Sequence, residues 1–142
     1  MTDCRKLRLS LESTLDSIEA AELIVQRLAE LNGFSEDQVH QIGMGVRETV
    51  ANAVKHGNGF NSAKRVSFDA AVNEGAFEVT VTDQGAGFEP EGVADPLDGE
   101  NLLRASGRGL LLMRAFFDEV EVSPCVGTGT RVRLVKYCAK GA

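Results

Sequence analysis

The chain has 142 residues, 43% hydrophobic and 25% charged, with a formal net charge of −6 and a pI of about 4.9. That is the size and composition of one soluble globular domain, residues 1–142, with enough apolar side chains to bury a core. The acidic balance argues against nucleic acid or an anionic membrane surface as the main ligand, because both need a basic footprint, but it leaves room for a nucleotide, which needs only a local site.

Three cysteines, Cys4, Cys125 and Cys138, are odd in number and widely spaced, with no Cys-x-x-Cys pair. They indicate reduced thiols rather than a disulfide framework or a zinc site. Met1-Thr2-Asp3-Cys4-Arg5-Lys6 leads into an alternating segment instead of an apolar leader, and no apolar run is long enough to span a bilayer. A cytoplasmic protein is expected.

Leu7, Leu9 and Leu11 alternate with Arg8 and Ser10, the pattern of a strand with one wet face. Ser13 or Thr14 then caps a helix to about Asn32, with Leu15, Ile18, Ala21, Val25, Leu28 and Leu31 at helical spacing and Gly33 as its stop. Ser35 and Gln38 form a capping-box pattern for a second helix, whose buried stripe is Val39, Ile42, Val46, Val50 and Ala53 and which Gly57 ends. Glu48 and Asn52 stand four residues apart on one face of it, roughly opposite the stripe. Gly43 and Gly45 each cost a helix up to ~1 kcal/mol against alanine, so they imply close packing or the approach of a ligand.

Val66, Phe68, Ala70 and Val72 alternate, as do Phe77, Val79 and Val81, with hairpin chemistry in Asn73-Glu74-Gly75 between them. The second of these strands runs into Asp83-Gln84-Gly85-Ala86-Gly87-Phe88. Residues 89–106 hold two prolines, two glycines and five acids against one base, Arg104. A connection that long is usually a lid or a binding loop. Gly107-Arg108-Gly109 opens a helix rich in apolar residues from Leu110 to Phe117, interrupted only by Arg114 and therefore expected to be largely buried. Two strands close the chain, one with Val120 and Val122 and one with Val132 and Leu134, turned by Val126-Gly127-Thr128-Gly129. Strands with a single apolar face predict an α+β two-layer sandwich: a mixed, mainly antiparallel sheet of about five strands, covered on one face by three helices.

Three signals carry chemistry. Glu48-x-x-x-Asn52 reads either as a solvated helix face or as a carboxylate and an amide that together hold a metal and activate a hydroxyl. Asp83-x-Gly85-x-Gly87 reads either as a tight turn with an Asx bond or as a loop that passes a flat ligand closely while its aspartate accepts from an exocyclic amine. Gly107-x-Gly109 at a helix start reads either as a hinge or as a phosphate site. Neither a P-loop nor a full dinucleotide fingerprint is present, because no Gly-Lys-Ser/Thr follows and Leu112 holds the third glycine position.

In this order, with a lid between the last two, the signals resemble the ATP-binding fold shared by gyrase B subunits, histidine kinases and mismatch-repair ATPases. Glu48-Thr49-Val50-Ala51-Asn52-Ala53-Val54-Lys55-His56-Gly57, Gly107-Arg108-Gly109-Leu110 with Met113, and Phe117-Asp118-Glu119-Val120 look like the anti-sigma factor serine kinases of bacterial partner-switching systems. The resemblance extends from the first strand to about Val135. It implies that Asn52 binds Mg²⁺ and Glu48 orients or deprotonates an attacking serine hydroxyl. It implies that Asp83 binds the adenine amine of ATP with Thr130 beside it, and that Gly85 and Gly87 let the loop pass the base. Gly107 and Gly109 then close the phosphate end. Arg104 is the lid arginine for the γ-phosphate, with Arg108 as its competitor, and Lys55 matches a lysine of the histidine-kinase branch or serves as a helix C-terminal charge. The implied partners are an anti-sigma-factor antagonist, which is phosphorylated, and a sigma factor, which is sequestered. A homodimer is implied as well, with the first strand as a candidate edge. The same residues also suit a nucleotide-dependent switch that regulates a partner without phosphorylating it.

Overall fold

The computed structural model describes residues 5–73, 75–85, 109–125 and 128–138. The alternating first segment is β1 (Arg5–Glu12). Helix α1 (Leu15–Leu31) begins where Thr14 Oγ1 accepts from Ser17 N at 3.3 Å, so Thr14 is the cap. Helix α2 (Glu36–Asn52) opens on the full capping box: Ser35 Oγ accepts from Gln38 N at 3.2 Å, and Gln38 Oε1 accepts from Ser35 N at 3.0 Å. It does not stop at Asn52 but widens into a π-helical turn over Ala53–Gly57, closed by Asn58 N donating to Ala53 O at 2.8 Å. After it come β2 (Arg65–Asn73), β3 (Ala76–Thr82), α3 (Gly109–Phe116), β4 (Glu119–Pro124) and β5 (Thr130–Tyr137).

The five strands form one sheet in the order β1-β2-β3-β5-β4, and all four pairings are antiparallel. β1 therefore is an edge strand. The inward face carries Val66, Phe68, Phe77, Val79, Val81 and Leu134, and on it lie Ile18, Ala21 and Val25 of α1 and Ile42, Val46 and Val50 of α2. The outward face is polar. There Arg133 reaches Glu119 at 3.3 Å and Glu121 at 3.4 Å and also pairs with Glu78. At these exposures such pairs tie neighbouring strands together while contributing little net stability.

Helix α3 departs from expectation. Met113 and Phe117 are buried, but Leu111 is 69% exposed and Ala115 is also exposed. The helix docks on α2 along the single stripe that four-residue spacing lines up, so its apolar content exceeds what that contact covers. Phe117 also decides the role of Gly45. A Cβ on Gly45 would collide with the Phe117 ring, and one on Gly43 would collide with the Gln26 side chain of α1. Both glycines are packing sites for neighbouring elements, and at Gly45 the ligand alternative gives way to an aromatic ring.

Candidate functional site

The π turn brings the end of α2 against the exit of β3. Asp83, one residue past β3, is 7% exposed, and its carboxylate lies on the backbone of Gly57 so closely that a Cβ there would collide with Oδ2. A Cβ on Gly85 would collide with Gly57 O, and one on Gly129, at φ +104°, with Asp83 O. Three chain segments thus meet at distances that only hydrogen side chains permit. π-helical turns are rare and occur mostly as single turns within helices, frequently at functional sites.

Asp83 is held by its own loop and by β5. Its Oδ1 accepts from Gly85 N at 2.9 Å and from Thr130 N at 3.1 Å, while Asp83 N donates to Thr130 O at 3.0 Å. The Asx-type bond read as one alternative is therefore present, yet it occupies only one carboxylate oxygen. Among the described residues no hydrogen bond engages Oδ2. Burial pushes the carboxyl above its ordinary range, against the opposing pull of the Gly85 and Thr130 N–H groups and of the Lys64 charge. An acceptor oxygen in such a place suits a ligand amine.

Asn52 lies one turn before Gly57 and is 7% exposed rather than on an open face. Among the described residues its Nδ2 has no hydrogen-bond partner, which is costly for a buried amide. Glu48, one turn further back, is half-buried. Rise along a helix is ~1.5 Å per residue, so Asn52 and Glu48 stand about 8 Å and about 14 Å from Gly57 along the axis. Asn52 and Glu48 thus follow the Asp83 contact in order back along α2. Lys55 and His56 are exposed on the π turn, and Arg47, next to Glu48, is turned toward α1 by a 2.8 Å ion pair with Glu22.

Gly87, Arg104, Gly107 and Arg108, with the lid at 89–106, lie outside the described residues; Gly109 is the first residue of α3. Among the described residues no group of three His, Cys, Asp or Glu could hold a metal ion. A divalent ion at Asn52 would therefore draw its other oxygens from a bound ligand and water, which is how Mg²⁺ is usually held.

Sequence reasoning missed Gly57 as a contact of Asp83, reading it only as a helix stop. It also missed Asn58, which is 3% exposed and joins Ser13, Arg65 and Gln84. The signal available was Asn58-Gly59 directly after a helix-ending glycine, which reports a turn and nothing of its distant partners.

Residues 11–136 match the family model of the histidine kinase-like ATPase domain. The anti-sigma F factor of Geobacillus kaustophilus is 36% identical over 106 residues, covering 73% of each chain. The serine-protein kinase RsbW of Oceanobacillus iheyensis is 26% identical over 129 residues, covering 87% of this chain and 80% of that one. Among solved structures, the fold matches the RsbU and RsbW domains of a Mycobacterium tuberculosis protein with a TM-score of 0.67 at 20% identity, spanning 93% of this chain and 32% of that longer one. It also matches a chain of the SiaB–SiaC complex from Pseudomonas aeruginosa with a TM-score of 0.66 at 15% identity, spanning 91% and 88%. These likenesses agree with the sheet order and helix layer described above.

Proposed function

The chain belongs to the histidine kinase-like ATPase domain family, and from that membership we propose that it is a cytoplasmic Mg-ATP-dependent protein-serine kinase of the anti-sigma type. Its substrate is a small anti-sigma-factor antagonist, its second partner is a sigma factor, and it works as a homodimer. The single observation that carries the reading is the row Asp83, Asn52, Glu48. It sets a buried acceptor at the exit of β3 against the end of α2, and behind it on that helix an amide with an unpaired nitrogen and a half-buried carboxylate. The relatives named as a serine-protein kinase and an anti-sigma F factor support the choice of substrate class.

In this reading Asp83 Oδ2 accepts from the adenine amine, while Thr130 and Gly85 hold Oδ1 and so fix the carboxylate in place. Gly57, Gly85 and Gly87 keep the walls of the base slot to bare backbone. Asn52 would hold Mg²⁺ through its side-chain oxygen, and the ion when bound would supply charge neutralisation to the triphosphate. Gly107, Gly109 and one of Arg104 and Arg108 close over the phosphates, with Lys55 as a further cation at this end. Glu48 takes the proton of the seryl hydroxyl as the serine Oγ–phosphorus bond forms and the bond from phosphorus to the ADP oxygen breaks. Most of the catalysis in such a transfer is positioning and charge stabilisation, which a row of fixed groups provides.

The test combines purified protein, Mg-ATP and the candidate antagonist. Phosphoserine on the antagonist is expected. Glu48→Ala should reduce transfer by at least about 100-fold, the usual contribution of a general base, with ADP affinity unchanged. Transfer that survives Glu48→Ala would sink the mechanism. A parent protein that binds ADP without ever phosphorylating the antagonist would make it a nucleotide-dependent switch instead.

A further inference from the structure

We infer that Asn58 is the positioning residue of the base-binding loop, and that preference for adenine over a six-oxo purine depends on it. The inference rests on Asp83 as the base acceptor. Asn58 lies just past the π turn, adjacent to Gly57, and every polar atom of its amide is used. Its Nδ2 donates to Ser13 Oγ at 2.9 Å and to Arg65 O at 3.1 Å, and its Oδ1 accepts from Gln84 N at 2.8 Å. Only one orientation of the amide satisfies all three, since its oxygen faces an N–H and its nitrogen faces oxygens.

The four segments so joined are the ones that build the base end. Ser13 sits between β1 and α1 and passes the tether on by donating to Lys64 O at 2.6 Å. Arg65 begins β2, and its N–H donates to Gln84 Oε1 at 2.5 Å, a second strap on the same loop. Gln84 follows Asp83 directly, so the peptide that Asn58 holds is the one that carries the Asp83 carbonyl. Gly57, which touches the carboxylate, is the neighbour of Asn58 on the other side. The carboxylate is thus located from both directions through one side chain that itself touches no ligand.

A side chain that only stabilises the fold would, on removal, lower the folded fraction and reduce binding of every nucleotide alike. A side chain that locates Asp83 would weaken binding most for the ligand whose amine Asp83 receives. Inosine diphosphate carries an oxygen where adenine carries its amine, so at that position it meets the carboxylate acceptor to acceptor, and its one donor on that edge, N1–H, sits one ring atom away. Removing Asn58 leaves Gln84 N without its acceptor, and the loop is held on this side by the Arg65 strap alone. Misplacing one hydrogen bond to a charged acceptor corresponds to a loss of about tenfold in affinity.

The experiment measures Mg-ADP and Mg-IDP binding to the full chain by titration calorimetry and by competition, for the parent, Asn58→Ala, Ser13→Ala and Asp83→Ala, with urea melts alongside. Asn58→Ala is expected to raise the Kd for ADP about tenfold and that for IDP less than about threefold, shrinking the preference between them. Ser13→Ala, which removes only the far anchor, should move both in the same direction by about a third as much on a logarithmic scale. It takes over as the deciding variant if Asn58→Ala shows no cooperative melt. Equal shifts for ADP and IDP, or no shift, overturn the inference when Asp83→Ala weakens ADP. An Asp83→Ala protein that binds ADP as the parent does overturns the base-acceptor reading itself, and the role of Asn58 with it.

Discussion

Replacing Asp83 with asparagine separates what this residue does for the ligand from what it costs the fold. The new side chain has the same shape, and its orientation is forced. Oδ1 must keep facing Gly85 N and Thr130 N, because the reverse would set an NH₂ group against two N–H donors. The amide nitrogen then occupies the place of Oδ2, beside Gly57. An adenine amine arriving there meets a donor instead of an acceptor. A hydrogen bond to a charged group is worth about 1.5–3 kcal/mol, so ADP affinity should fall by roughly 10- to 150-fold before any repulsion is counted. Stability should move the other way. Burial raises the carboxyl above its ordinary range, so the folded chain holds this proton more tightly than the unfolded one. Stability is then greatest below the ordinary aspartate pKa, falls as pH rises from there to the raised value, and at pH 7 bears the full cost of the buried charge. The neutral asparagine bears none of it. Urea unfolding of the apo proteins should therefore show the variant more stable than the parent at pH 7, with the gap closing as pH falls toward 4. Calorimetry with Mg-ADP at pH 7 measures the affinity. A variant that binds ADP like the parent, or that is clearly less stable at pH 7, refutes this account of Asp83.

Two glycine substitutions test the packing on either side of α2. Gly57→Ala drives a Cβ into the Asp83 carboxylate, so the side chain must rotate away from Gly85 N and Thr130 N; the expected result is a loss of about 1–3 kcal/mol in urea unfolding together with an ADP affinity at least about tenfold weaker. Gly45→Ala drives a Cβ into Phe117, an overpacking cost of about 1–3 kcal/mol offset by up to about 1 kcal/mol of helix propensity. ADP affinity measured on folded Gly45→Ala protein should be unchanged, and a selective loss of binding there would return Gly45 to the ligand.

The elements of this fold were legible because each announces itself locally. Alternation marked β1, β2 and β3, and the Ser35–Gln38 capping box is formed as read. The misreadings concern contacts between elements far apart in sequence. A helical wheel drawn on α2 cannot include Phe117, which arrives from beyond α3 to fill the space at Gly45, so the buried face of α2 came out too narrow. The same wheel left Asn52 on an open face, although it is buried next to Val50 and Ala53. In α3 apolar composition was equated with burial, whereas one helix–helix seam covers only a stripe, and Leu111 is left outside it. Asp83 and Thr130 are 47 positions apart and meet through a strand pairing, β3 with β5, that periodicity alone cannot assign. Only the family resemblance placed them together. Asn58 was not legible at all, because a hub is defined by its partners and these come from the β1–α1 junction, the start of β2 and the exit of β3.

What sets the end of α2 apart from the rest of the molecule is that local rules fail there together. The helix loses its regular hydrogen-bond step in a π turn, and among the described residues a buried amide nitrogen has no partner and a carboxyl that burial pushes above its ordinary range has one oxygen unengaged. Among the described residues the N-caps of α1 and α2 are filled and the sheet is regularly paired, so these costs are not general looseness. Among the described residues the incomplete buried polar groups cluster along this one row, which is where a binding partner is expected. The groups left incomplete also specify that partner. Asp83 Oδ2 asks for a donor on a flat group able to enter between bare backbones, and Asn52 Nδ2 asks for an acceptor such as an anionic oxygen. Any ligand supplying both binds the folded chain alone, because the unfolded chain has neither contact in place. Its binding then offsets in the folded state the costs that the empty site imposes.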